Sequence, residues 1–339
     1  LLCGIWSLKY KIESAKYVQE SYLMPAAEVC HRLWNERKLD VDAQRVSTSC
    51  LALALNATSL FETVHSRIRS KEWGAKMSFL EDQKTLYREL ERELKNSEKK
   101  ESNVNKIHLI KAMRTISQLE EEKQSQEEEL GPYAELAMQS FAEALTMAGN
   151  SSKENWTGHV FQMISIWFAT FEILPTINHT MLDLLESLPS YRFVPLAQQL
   201  FARLNSKQGE EVDQFHITLQ ALVKKMCREH PYHCLPMFFS LINGRDKKKD
   251  MISGDPKAQA AQRIMASLRE DANENELNLY HSYESVTQWY HELAVAKITE
   301  DQKRQRKNIR ISSVLNKYRR NFFDSFDCPP CILTQPPTL

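Results

Sequence analysis

Gly131-Pro-Tyr-Ala-Glu-Leu-Ala137-Met-Gln-Ser-Phe141-Ala-Glu-Ala144 decides the fold class of this chain. Ala137, Phe141 and Ala144 fall on one face of a helix, because residues three and four apart lie above one another. The two alanines admit a neighbouring helix closely and the ring plugs the gap, so the stretch predicts helix packed on helix. Pro132 suits the first turn of a helix, and Gly131-Pro132 is read as the break before it. The composition agrees. Only 8 glycines occur in 339 residues, about a third of the usual share of roughly 7%. Tight turns, bulges and phosphate loops draw on glycine, so sheets and nucleotide-binding α/β folds are disfavoured.

Upstream, residues 1–80 read as two or three amphipathic helices. Cys50, Leu51, Ala54 and Leu55 take helical spacing within Val46–Phe61. Residues 81–130 turn sharply towards charge. Leu80, Leu86, Leu90 and Leu94 keep a stripe, and Ile107, Ile110 and Met113 resume it after a gap. That pattern predicts a long, charged helical hairpin with its apolar seams facing each other. Downstream, helices are expected over 156–174, 176–188, 194–203, 212–229, 234–243, 256–273 and 277–299, with proline or asparagine between them. The A-x-x-x-F-x-x-A spacing is that of the second helix of a tetratricopeptide repeat, without the W-L-G-Y pattern that precedes it there. An ordinary amphipathic helix therefore stands as the other reading of that stretch. The expected class is all-α: an α-solenoid of tetratricopeptide- or HEAT-like antiparallel helix pairs over 1–321. Residues 322–339, with Pro329, Pro330, Pro336 and Pro337, read as an extended linker.

Lys plus Arg balances Asp plus Glu at 44 each, so the total charge carries no basic footprint for nucleic acid. The most apolar run, 160–174, is interrupted by Gln162, Ser165, Thr170 and Glu172 and reads as a buried helix, not a membrane span. The start lacks a Met and a signal-peptide pattern, which suggests a piece of a larger chain. Seven scattered cysteines suggest reduced thiols. Four glycosylation sequons, at Asn56, Asn150, Asn155 and Asn178, read as chance matches without a secretory signal.

Cys227, His230, His233 and Cys234 form a C-x-x-H-x-x-H-C run with a superficial likeness to a zinc cluster. Pro231 breaks the helix between them, so the two cysteines are expected on different helices, pointing apart, with the histidines capping helix ends. No metal is expected there. Cys328-Pro-Pro-Cys331 lacks the strand and helix of a redox pair. The basic residues Lys303, Arg304, Arg306, Lys307 and Arg310, like Lys247–Lys249, read as a solvated end or loop. Ser117-Gln118 and Ser125-Gln126 sit among Glu120–Glu122 and Glu127–Glu129, the acidic Ser-Gln setting that DNA-damage-responsive kinases modify; a solvated helix face is the alternative. No Walker loop, kinase-loop motif or G-x-S-x-G is present, so no catalytic or cofactor-binding residue is expected.

Three segments resemble the FAT domain of the phosphatidylinositol-kinase-related protein kinases, closest to the ataxia-telangiectasia-mutated (ATM) branch. Val160-Phe161-Gln-Met-Ile-Ser-Ile-Trp167, shortly after Trp156, is similar to that family's V-F-x-x-x-S-x-W helix. Tyr191-Arg-Phe193-Val-Pro195-Leu-Ala-Gln-Gln199-Leu-Phe-Ala-Arg203 resembles Y-K-F-x-P-L-x-x-Q-L-x-A-R. His230-Pro231-Tyr-His233 resembles its H-P-x-H corner. Order and spacing agree across roughly 130–245, and Pro337-Thr338-Leu339 is similar to the step into the kinase amino-terminal lobe.

The resemblance implies helix pairs clamping a kinase domain that starts just past Leu339. It implies a nuclear, homodimeric kinase that acts on Ser/Thr-Gln sites after double-strand breaks, with cytoplasm as a second location. ATP and Mg would belong to that kinase domain, and a break-sensing complex would activate it. This piece would supply support, regulation and part of the dimer surface, with no membrane or direct nucleic-acid contact. Trp156, Phe161, Trp167, Tyr191 and Phe193 would then be packing anchors, Pro195 and Pro231 helix starts, and Gln199 and Arg203 hydrogen-bonding ties on one face. A free-standing tetratricopeptide-like adaptor that binds peptides in a groove is the rival reading.

Overall fold

The structure is a computed structural model that describes residues 1–36, 42–96, 102–148, 156–204, 213–243 and 256–295. The described residues are helical throughout and contain no strand. They form two compact units, one spanning Leu1–Leu188 and one starting at Pro189. The basic run at 303–310, Lys247–Lys249, Asn150, Asn155, the Cys328–Cys331 pair and the 322–339 segment lie outside the described residues.

The first unit opens with α1 (Leu2–Lys9), α2 (Ala15–Val18), a π-turn (Gln19–Leu23) and α3 (Met24–Asn35). The long helices follow: α4 (Ala43–Ile68), α5 (Lys71–Asn96) and α6 (Ser102–Met147). Asp42 caps α4 by accepting from the Arg45 N–H at 2.8 Å. Val46, Cys50, Leu53, Ala57, Phe61 and Val64 are buried along α4 at helical spacing, while Leu55 points out at 40% exposure. On α6 the buried stripe is Leu130, Ala134, Ala137, Met138, Phe141, Ala144 and Leu145. Alanines on both stripes bring α4 and α6 together, the tight packing that residues 137–144 predict. The Ser47 hydroxyl donates across this joint to the Ala144 carbonyl at 2.9 Å. Helices α7 (Trp156–Thr170) and α8 (Thr176–Ser187) pack on α6 and on each other.

Two expectations are corrected here. Gly131-Pro132 does not break the chain, because α6 runs unbroken through Pro132 for 46 residues. Proline inside a helix costs about 3 kcal/mol. Leu130 and Ala134, both fully buried on either side of it, hold the helix through packing that offsets this cost. The seam of the charged hairpin is also rotated. Ile107, Ile110 and Met113 are 48–59% exposed and Leu86 is 41% exposed. The inward face of α6 carries Leu109, Ala112, Ile116 and Leu119 instead, at spacings of three and four. Outside the seam, charges pair along the hairpin: Lys76 with Glu122 at 2.5 Å and Lys84 with Glu120 at 3.1 Å. Finally, Asn56 and Asn178 are buried and hydrogen-bonded, so these two sequons present no accessible amide.

The second unit begins with a 3-10 turn (Ser190–Leu196) and α9 (Ala197–Ala202). It continues with α10 (Gln214–Glu229), α11 (Pro231–Asn243), α12 (Pro256–Glu270) and α13 (Glu274–Val295). Asn273 and Glu276 form a reciprocal capping box at 2.9 and 3.0 Å that starts α13. Phe215, Leu219, Leu222, Val223 and Met226 of α10, with Leu235, Phe238 and Phe239 of α11, make its core. Lys224 reaches Asp271 at 2.7 Å and Arg269 reaches Glu284 at 2.6 Å, tying the later helices at the surface.

Candidate functional site

The family-like residues fall at helix joints. In the first unit Trp167 is fully buried, and its indole N–H donates to Asn178 Oδ1 at 2.8 Å. The Asn178 amide donates onward to the Pro175 carbonyl at 3.3 Å, so this node locks α7 to α8. Val160 is fully buried, and half-buried Trp156 packs against the cluster of Val46, Cys50 and Ala144. Phe161 departs from the anchor expectation. It is 56% exposed, because burying Val160, Met163, Ile164 and Trp167 turns position 161 outward.

In the second unit Phe193 is fully buried, whereas Tyr191 is 37% exposed, with the Arg192 guanidinium 4.8 Å from its ring centre. The Tyr191 ring therefore packs at the surface, a second departure from the anchor expectation. Pro195 sits within the 3-10 turn just before α9. Gln199 and Arg203 are both exposed on the α9 side of that segment. His230 ends α10 and Pro231 opens α11, as the corner predicts. The buried Ser190 hydroxyl donates to Glu229 and lies 2.8 Å from His230 Nε2, which donates to it, so the 3-10 turn is pinned to the end of α10. Burial holds the His230 pKa below its ordinary value despite the charge of Glu229. The His233 backbone N–H donates to the His230 carbonyl at 3.2 Å and closes the corner.

Cys227 and Cys234 do not point apart. Both are fully buried, and the two thiols hydrogen-bond each other across the corner. The Pro231 turn reverses the chain, so the last turn of α10 and the first of α11 present their inner faces to one another. The Cys234 contact, with burial, pushes the Cys227 thiol well up, while the same contact draws the Cys234 thiol down. His230 and His233 do not join them in a metal-sized group among the described residues.

A different cluster appears in the first unit, built from α3, α4 and α6. His31 Nε2 lies 3.0 Å from Glu143 Oε2. Cys50 Sγ lies 3.3 Å from His31 Nε2 and 3.4 Å from Glu143 Oε2. Cys50 is fully buried, while the His31 and Glu143 side chains are 27% and 49% exposed. Burial first, then the charge and hydrogen bond of Glu143, push the Cys50 thiol up to about 12. A cavity of about 530 Å³ opens beside the cluster, lined by His31, Glu143, Gln139 and Ser140 among others. These residues are too far apart in sequence to make a motif; the small residues of the α4–α6 joint bring Cys50 and Glu143 together.

Ser117 and Ser125 are exposed in the middle of α6, and the Ser117 hydroxyl donates to Glu121 at 3.3 Å. Among the described residues no helix is long and apolar enough to cross a membrane.

No protein-family profile matches the chain. Among individual proteins it is similar to the serine/threonine-protein kinase ATM of Arabidopsis thaliana, 28% identical over 259 residues, which is 73% of this chain and 6% of that protein. The serine/threonine-protein kinase tel1 of Neurospora crassa is 22% identical over 327 residues, 96% of this chain and 10% of its own length. The serine-protein kinase ATM of Sus scrofa is 22% identical over 80% of this chain and 8% of its own length. The chain thus spans a tenth or less of these curated relatives. Among solved structures, the open conformation of CtTel1 covers 87% of this chain and 10% of its own, at 18% identity with a TM-score of 0.58. The FAT and kinase domain of CtTel1 covers 87% of this chain and 18% of its own, at 16% identity with a TM-score of 0.55. Over most of its length this chain is homologous to the ATM and Tel1 protein kinases, and it has the all-α solenoid fold of the Tel1 FAT region.

Proposed function

We propose that this chain is a non-catalytic FAT scaffold segment of an ATM-like serine/threonine protein kinase of the double-strand-break response. It supports and regulates its own kinase domain in cis and contributes to homodimerisation of the parent. ATP and Mg are bound by that kinase domain, not by this segment. A break-sensing complex in the nucleus is the expected activating partner.

The observation that supports this reading is where the family-like residues sit. Trp167, Phe193 and His230 lie at helix joints and are buried or half-buried, as packing residues of a scaffold are. A structure of the related CtTel1 is a complete dimer with C2 symmetry, which supports the dimer part of the proposal.

The test is made in the intact kinase. Trp167→Ala and Phe193→Ala should lower the melting temperature and the phosphorylation of a Ser-Gln peptide together. Below the melting transition the KM for ATP should stay unchanged. A changed KM in the folded protein would place this segment at the chemistry. Unchanged stability and activity in both variants would remove the scaffold reading.

A further inference from the structure

We propose that His31, Cys50 and Glu143 form a site for a divalent metal ion of the zinc type, with its open coordination position facing the adjacent cavity. The proposal stands on the geometry of the first unit alone and does not depend on the kinase reading. Three ligand atoms of three chemical kinds, imidazole nitrogen, sulfur and carboxylate oxygen, meet from three helices at 3.0, 3.3 and 3.4 Å. Around a tetrahedral Zn²⁺ such atoms stand about 3.4 to 3.6 Å apart, from bond lengths of roughly 2.0 to 2.3 Å. The observed triangle is within a few tenths of an ångström of that size.

Hydrogen bonding leaves this triangle incomplete. Neutral His31 brings one proton at Nε2 and Cys50 one at Sγ, and Glu143 brings none. Two protons cannot make three contacts, so one edge of the triangle is held together without a bond. A cation at its centre satisfies all three atoms at once. Binding converts the Cys50 thiol to a thiolate and releases its proton to solvent, while His31 stays neutral by changing tautomer, its proton leaving Nε2 and Nδ1 taking one from solvent. Cys50 closes the buried side. His31 and Glu143 open on the cavity, which leaves the fourth position to water or a small anionic ligand. Nitrogen with thiolate favours zinc over magnesium or calcium, which take oxygen ligands.

The test uses the full chain, reduced and freed of metal with a chelator, and titrated with Co²⁺ alone. A thiolate-to-cobalt charge-transfer band and tetrahedral visible bands should saturate at one ion per chain and be displaced by Zn²⁺. Cys50→Ser should abolish the charge-transfer band. His31→Asn and Glu143→Gln should weaken Zn²⁺ binding at least about tenfold, the lower end of what second-shell changes cost at such sites. The double variant Cys227→Ser/Cys234→Ser should leave both signals intact. Absence of the band in the unaltered chain overturns the proposal, and so does its survival in Cys50→Ser. If Cys50→Ser loses its helical circular dichroism, half-exposed Glu143→Gln decides, and unchanged affinity there overturns the proposal.

Discussion

The joint between α7 and α8 can be tested by a cycle on Trp167 and Asn178. Trp167→Phe keeps an aromatic ring but deletes the donor that reaches Asn178 Oδ1 at 2.8 Å. Asn178 is 1% exposed, so its oxygen has no water to turn to. An unsatisfied buried acceptor costs about 1–3 kcal/mol. The smaller ring adds a void, for which about 1 kcal/mol is a fair share of the roughly 3–5 kcal/mol that full truncation to Ala costs. The single change should therefore cost about 2–4 kcal/mol. Asn178→Leu leaves the indole N–H unsatisfied in the same way. The double variant removes both partners, so its cost should fall short of the sum by about 1–2 kcal/mol. Amide hydrogen exchange across α7 and α8 reads the local opening of this joint directly. Trp167→Phe should lower protection there about 30- to 1,000-fold, at tenfold per 1.4 kcal/mol. Additive costs around the cycle, or unchanged protection in Trp167→Phe, would refute the claim that this hydrogen bond holds the joint.

Phe161→Ser should change urea stability by no more than about 0.5 kcal/mol, as for other exposed positions, whereas Phe193→Ala should cost about 3–5 kcal/mol. Equal losses from the two would contradict their assigned exposures. Pro132→Ala should stabilise α6 by up to about 3 kcal/mol, because Pro132 is exposed and its replacement restores an N–H to the Glu128 carbonyl; slower amide exchange in the middle of α6 is the readout. His230 is held below its ordinary pKa in the folded chain, so the unfolded chain takes up its proton first. Its contribution is whole above about pH 6.5 and is lost as the pH falls through and below that value. Melting temperature measured across that window should fall less in His230→Gln than in the unaltered chain, and parallel curves would count against the assignment.

Much of the helical plan was legible because its punctuation is local. Thr176, Pro256 and Trp156 each open a helix where the sequence places one, α11 starts at Pro231, three residues ahead of the expected 234, and α8, α10 and α11 end within a residue of expectation. What stayed hidden depended on contacts between distant residues. Pro132 reads as a break until Leu130 and Ala134 are seen buried on either side of it. Residues 107–119 carry two apolar stripes, and only the pairing of α5 with α6 selects the one through Ala112. The Cys227–Cys234 contact needs the corner to fold back, which the mere presence of Pro231 does not reveal. The π-turn at Gln19–Leu23 has no sequence signal that we can identify. The His31–Cys50–Glu143 cluster joins residues 19 and 93 positions apart, a distance at which spacing says nothing about metal.

The buried polar groups of the first unit act on a problem that its apolar stripes leave open. A face of alanines and leucines tolerates a slip of one helical turn, about 5.4 Å, because small and medium side chains recur each turn. Ser47 donates to the Ala144 carbonyl, and Asn56 donates to the Ala15 carbonyl at 3.1 Å from within the same helix. A slip of α4 in either direction would strand both donors in apolar surroundings at about 1–3 kcal/mol each. These bonds therefore fix the register of α4 against α6 and α2 more than they add net stability. Cys50 sits on α4 between Ser47 and Asn56, and Glu143 sits beside Ala144. The register that satisfies the serine and the asparagine is thus also the one that brings His31, Cys50 and Glu143 within 3.4 Å. A Ser47→Ala/Asn56→Leu variant separates the two effects: it should retain its helix content yet bind Co²⁺ more weakly, and undiminished binding would show that the apolar stripes hold the register alone.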